Sequence, residues 1–120
     1  MGRSLGSAIA TYVASKRDIK KLVLITPFDS IVNIAKYKYP FLPVEKLVKY
    51  KFEEYKWIKN IRAPIKLLLV KNDDVIPEKC IENLLKNIDN LNKEIIITGI
   101  KHGNIYEYKD IEKVIEKLLD

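Results

Sequence analysis

The chain has 120 residues, 48% of them hydrophobic, enough for one small domain with a single core; with no apolar run of about eighteen residues and no charged-then-apolar leader, neither a membrane span nor a secretory signal is expected. Its one cysteine, Cys80, excludes an internal disulfide and fits a reducing, cytoplasmic setting. The net charge of +6 (pI about 9.3) comes mostly from lysines scattered among Asp and Glu, with arginine only at positions 3, 17 and 62, which argues against the arginine-led readout of a nucleic-acid partner and leaves a basic binding module as the weakest function class.

Gly2-Arg3-Ser4-Leu5-Gly6 opens the chain as a G-x-S-x-G pattern and runs into a helix expected from Leu5 to about Lys16. Leu5, Ile9 and Val13 recur at helical spacing, and the small residues between them suit close packing on a sheet. Leu22-Val23-Leu24-Ile25 is a continuous apolar run ended by Thr26-Pro27, the pattern of a strand buried on both faces. An aromatic-rich segment, 27–62, follows; Pro40 and Pro43 break it into short helices expected near 30–37, 44–50 and 55–61. Ile65 to Val70 reads as a second buried strand, and Asn72-Asp73-Asp74 as turn chemistry. Pro77 suits the start of a helix carrying Ile81, Leu84, Leu85 and Ile88 on one face. Asn90 and Asn92 mark a loop, residues 94–98 a third strand, and Asp110 the expected cap of a last helix with Ile111, Val114, Ile115, Leu118 and Leu119 on one face. The alternation makes the chain α/β, with about three parallel strands and flanking helices in one domain, 1–120.

In open parallel sheets, ligands bind beyond the carboxyl ends of the strands. Three reactive side chains are expected in that zone: Ser4 before the first helix, Asp73 past the second strand and His102 past the third. A histidine there can take the serine proton and return it to a leaving group, while a carboxylate holds the imidazole tautomer. Glycine at both flanks of Ser4 is expected to relieve crowding where the backbone folds back, and the Leu5 N–H, at the helix start, is a candidate oxyanion donor.

The order Ser, Asp, His and four stretches of sequence resemble the C-terminal portion of an α/β-hydrolase, of the serine-aminopeptidase-like or esterase branch. The stretches are Gly2 to Ser7, Leu22 to Ser30, Leu67 to Pro77 and Gly99 to His102, and their spacing covers nearly the whole chain. The resemblance implies a serine hydrolase cleaving ester, thioester or amide bonds of a small acyl substrate through an acyl-enzyme. Ser4 would be nucleophile, His102 base and Asp73 its orienter, with 27–62 a reduced lid or acyl-pocket wall. It puts the acid four residues before Pro77, on Asp73, and gives Asp74 no catalytic role. Val70 departs from the glycine usual in that family. The strands that normally precede the elbow do not precede Ser4 here, so a truncated chain with little activity alone is expected.

Plainer readings stand beside these. Ser4 could be a helix cap, His102 a structural residue, Asp73 a helix cap, and 27–62 ordinary packing; Asp29 is the competing carboxylate. Cys80 reads as an inert, partly buried thiol. No CxxC pair, HExxH, phosphate-cradling glycine loop or carboxylate cluster is found, so no cofactor or metal is expected. The rival classes are a non-catalytic remnant and a split-enzyme half completed by an N-terminal partner chain.

Overall fold

The computed structural model describes residues 1–120. Four strands form one parallel sheet in the order β1 (Gly2–Arg3), β2 (Leu22–Ile25), β3 (Ile65–Val70), β4 (Leu91–Ile97). Their pairings align Gly2 with Leu24, Leu24 with Leu67, and Leu67 with Glu94. The helices are α1 (Leu5–Lys16), α2 (Ile31–Lys38), α3 (Val44–Leu47), α4 (Glu54–Ile58), α5 (Glu78–Leu85) and α6 (Ile111–Leu119), with a 3₁₀ segment at His102–Glu107.

β2 is apolar along its length and β3 is apolar except at Lys66, itself buried, because both faces of these central strands are covered. Side chains alternate across the sheet. Leu22, Leu24, Ile65, Leu67 and Leu69 pack on one face with Ala14, Ile58 and Leu84 from the helical layer of α1, α4 and α5. Val23, Ile25, Leu68 and Val70 pack on the other with Ile111 and Leu118 of α6.

Several elements differ from the sequence expectations. The sheet has a further short strand, β1, so the edge beside β2 is occupied. β4 begins at Leu91 and runs through Asn92, Lys93 and Glu94, all exposed, because it is an edge strand. In α1 the buried face is Ser7, Ala8, Thr11 and Ala14, while Leu5, Ile9 and Val13 are about half exposed. Of these small residues, Ala14 packs against the strand side chains, Ala8 packs with Phe28, and Ser7 and Thr11 face Glu54 of α4. Asp110 precedes α6 in the left-handed region (φ 63°) and its side chain makes no cap bond.

Each strand leaves the sheet through a left-handed residue just past its carboxyl end: Ser4 (φ 50°), Thr26 (φ 46°), Asn72 (φ 57°) and Gly99 (φ 79°). The loops that follow therefore collect on one rim.

Candidate active site

Ser4 sits at φ 50°, ψ −120°, a conformation that L residues rarely adopt and that persists only when the surroundings hold it. Its N–H donates to the Ile25 carbonyl at 2.8 Å. Its own carbonyl accepts from the Ser7 N–H at 2.9 Å and from the Ser7 hydroxyl at 2.5 Å. A Cβ on Gly2 would lie 2.4 Å from the Gly6 carbonyl oxygen and 2.7 Å from the Ala10 Cβ, so β1 and α1 meet there only because residue 2 has no side chain. Gly6 is different: a Cβ there meets nothing within 4 Å. The expectation that both flanking glycines relieve crowding therefore fails at Gly6, whose side points away from the turn. Leu5 opens α1, and the first N–H groups of a helix lack intrahelical partners, so its N–H is free to face an anion.

His102 opens the 3₁₀ segment after β4 and is 7% exposed. The Ser4 Oγ lies 2.9 Å from His102 Nε2, and Asp73 Oδ2 lies 2.9 Å from His102 Nδ1. The carboxylate fixes the tautomer. Nδ1 carries the proton and donates to Asp73, leaving the Nε2 lone pair to accept from the Ser4 hydroxyl. Asp73 uses its other oxygen on its own loop, where Oδ1 accepts from the N–H groups of Val75 and Ile76, each at 2.8 Å. Burial raises the cost of charging Asp73. The bonds from His102, Ile76 and Val75 outweigh it and hold the carboxyl below its ordinary pKa.

Two neighbours seat the imidazole's backbone. The His102 N–H donates to Asp74 Oδ1 at 2.8 Å, and its carbonyl accepts from Arg3 Nη2 at 3.2 Å. The Arg3 guanidinium in turn lies 4.7 Å from the centre of the Tyr106 ring, a cation–π contact. Sequence reasoning gave Asp74 no catalytic part and gave Arg3 no contact with this loop. Nothing local marks either residue, because their partners lie 28 and 99 positions away.

The structure thus brings Ser4, His102 and Asp73 together and leaves Asp29 apart. Asp29 is 1% exposed and accepts from the Ser30 N–H, Asn33 Nδ2 and Asn83 Nδ2, tying the start of α2 to α5. Cys80 is wholly buried rather than partly so, and burial, then the nearby Asp29 charge, pushes its thiol up to about 12.

Among solved structures, the chain superimposes along 98% of its length on an esterase domain from a Rhodothermus marinus protein, with a TM-score of 0.71 and 15% identity. A thioesterase domain from the curacin biosynthetic pathway matches along 99% with a TM-score of 0.66 and 13% identity. The fold is that of the α/β-hydrolases. A monoacylglycerol lipase from Paleococcus ferrophilus shares this hydrolase fold too, at a TM-score of 0.65 and 19% identity. By sequence, uncharacterized proteins from two strains of Mycobacterium tuberculosis are 28% identical over 103 residues, which is 86% of this chain and 37% of theirs. No family model matches the chain. The chain spans well under half the length of those curated relatives and 55% of the esterase domain.

Proposed function

We propose that this chain carries the catalytic centre of a serine hydrolase acting on esters or thioesters, with amides a further possibility for the same chemistry. The observation that supports it is the unbroken relay from Ser4 Oγ through both ring nitrogens of His102 to Asp73, each step 2.9 Å long. In this reading Ser4 Oγ attacks the acyl carbon as its proton passes to His102 Nε2. Asp73 steadies the imidazolium, and the Leu5 N–H stabilises the oxyanion. The imidazolium then protonates the leaving alcohol or thiol, and water, activated by the same nitrogen, releases the acid. The substrate class rests on the esterase and thioesterase domains that share the fold. The segment 27–62 would wall the acyl side, since α4 packs on α1 directly behind the elbow.

A fluorophosphonate probe tests this. We expect a single adduct on Ser4, lost in S4A, together with hydrolysis of p-nitrophenyl acetate that S4A abolishes. An unlabelled Ser4 in folded protein refutes it for this chain alone.

A second reading concerns what covers β1. Its outer edge has no neighbouring strand, and Leu5, Ile9 and Val13 lie half exposed on α1 beside it. We propose that the working hydrolase has further polypeptide there, including an N-terminal complementing segment. Labelling that appears only when such a segment is added supports this form, and labelling in neither case supports a non-catalytic remnant.

A further inference from the structure

Glu54, the first residue of α4, has no solvent exposure and takes part in no ion pair. Its carboxyl faces two hydroxyls of α1: Thr11 Oγ1 is 2.8 Å from Oε1, and Ser7 Oγ is 3.0 Å from Oε2. Ser7 Oγ is also 2.5 Å from the Ser4 carbonyl oxygen. A serine hydroxyl has one proton. It cannot donate both to Ser4 and to a carboxylate, and two oxygens at 2.5 Å with no proton between them repel.

Counting protons leaves one arrangement in which every contact is a hydrogen bond. We propose that Glu54 is held as a neutral carboxylic acid whose Oε2–H donates to Ser7 Oγ, so that the Ser7 hydroxyl donates to the Ser4 carbonyl. Thr11 donates to Oε1. Glu54 is then a positioning residue: its proton, three groups removed from the nucleophile, helps clamp the left-handed Ser4 backbone and ties α4 of the insertion to the elbow.

The surroundings agree. Burial pushes the Glu54 carboxyl up to about 7, against the Thr11 and Ser7 hydroxyls and the Phe28 amide, which favour its charged form. Asp29, from the β2–α2 loop, adds a like charge that favours the neutral one. On the α5 side, Cys80 packs with Ala8 and Phe28, and its thiol is neutral because burial pushes its pKa far higher. Ionisation of Glu54 turns the Ser7 proton away from Ser4 and loosens the clamp.

A carboxyl whose folded pKa is raised binds its proton more tightly in the native state. Its contribution to stability is complete below the unfolded value of 4.5 and is lost as pH rises from there to about 7. The test follows denaturant unfolding of the wild-type chain, E54Q and S7A between pH 5 and 8, beside the pH profile of p-nitrophenyl acetate hydrolysis. Gln supplies an N–H in place of the acid's O–H, so E54Q keeps the relay and cannot ionise. We expect the wild-type folding constant to fall roughly 10²-fold more than that of E54Q across this range. Parallel stability curves overturn the proton assignment, and this readout needs no activity, so it stands apart from failure of the hydrolase reading. In hydrolysis we expect the wild-type rate to drop about three- to tenfold above pH 7, the size of one lost hydrogen bond. E54Q should lack that drop, and S7A should be reduced at every pH without it. An alkaline limb shared by wild type and E54Q overturns the positioning role.

Discussion

Replacing Gly2 by alanine places a Cβ 2.4 Å from the Gly6 carbonyl oxygen, 2.7 Å from the Ala10 Cβ and 2.8 Å from the Ser7 Cα. Two of these atoms belong to the α1 backbone, so no rotamer change clears them. Ordinary contact begins near 3.4 Å, and β1 must therefore move about 1 Å away from α1. Overpacking of this kind costs about 1–3 kcal/mol. Ser4 is two residues on, and a 1 Å misplacement of a reacting group lowers rates by about 10²-fold. G6A is the matched control: its Cβ enters open space, and alanine in place of glycine in a helix adds about 0.5–1 kcal/mol. Denaturant unfolding and the rate of fluorophosphonate labelling compare the two. G2A should unfold earlier and label about a hundredfold more slowly, while G6A should match or exceed the parent in stability. If G2A unfolds and labels like G6A, the close approach of β1 to α1 is not what presents the serine.

D73N keeps an oxygen for the Val75 and Ile76 N–H groups but turns an N–H toward His102, reversing the tautomer; kcat for ester hydrolysis should fall about 10⁴-fold. Because Asp73 is depressed in the folded state, its contribution to stability is present above the ordinary carboxylate pKa and lost as pH falls through its lower native value; D73N should remove that acid limb from a plot of unfolding free energy against pH. D74A strands the His102 N–H and should lower stability by about 1 kcal/mol, with kcat falling more than KM changes. Cys80 should resist iodoacetamide in the native chain and react fully once denaturant is added; native-state alkylation at neutral pH would contradict its burial.

The parts of the fold that sequence made legible are those whose signal is long and local. The apolar runs of β2 and of Leu67 to Val70 in β3, with the one-sided faces of α5 and α6, could belong to little other than a covered parallel sheet. β1 is invisible in sequence because two residues carry no periodicity, and the first half of β4 is hidden because Asn92, Lys93 and Glu94, on an exposed edge, follow a lone Leu91. In α1 the large apolar residues drew attention to the wrong face. Close packing favoured Ser7, Ala8, Thr11 and Ala14, which a hydrophobicity pattern undervalues. At the site, Ser4, Asp73 and His102 were nameable because each stands just beyond a strand end in a recognisable order. Arg3, Asp74, Ser7 and Glu54 were not, since their importance lies in partners that only folding supplies. Glu54 in particular reads in sequence as one more charge in a lysine-rich stretch.

The left-handed residues at the four strand ends separate aim from reach. Where the chain departs from the sheet at Ser4, Thr26, Asn72 or Gly99, its initial heading is set by one backbone kink beside the last ladder bond. Whatever lies farther along can lengthen or shorten without re-pointing that first step. Thr26 is the buried extreme of such a rim: a β-branched residue at φ 46°, its hydroxyl bonded to the Ile25 carbonyl at 2.8 Å, tolerates a geometry that glycine would take freely. A rim so constructed lets loops be exchanged, while the angles at which Ser4, Asp73 and His102 approach one another stay inherited from the sheet.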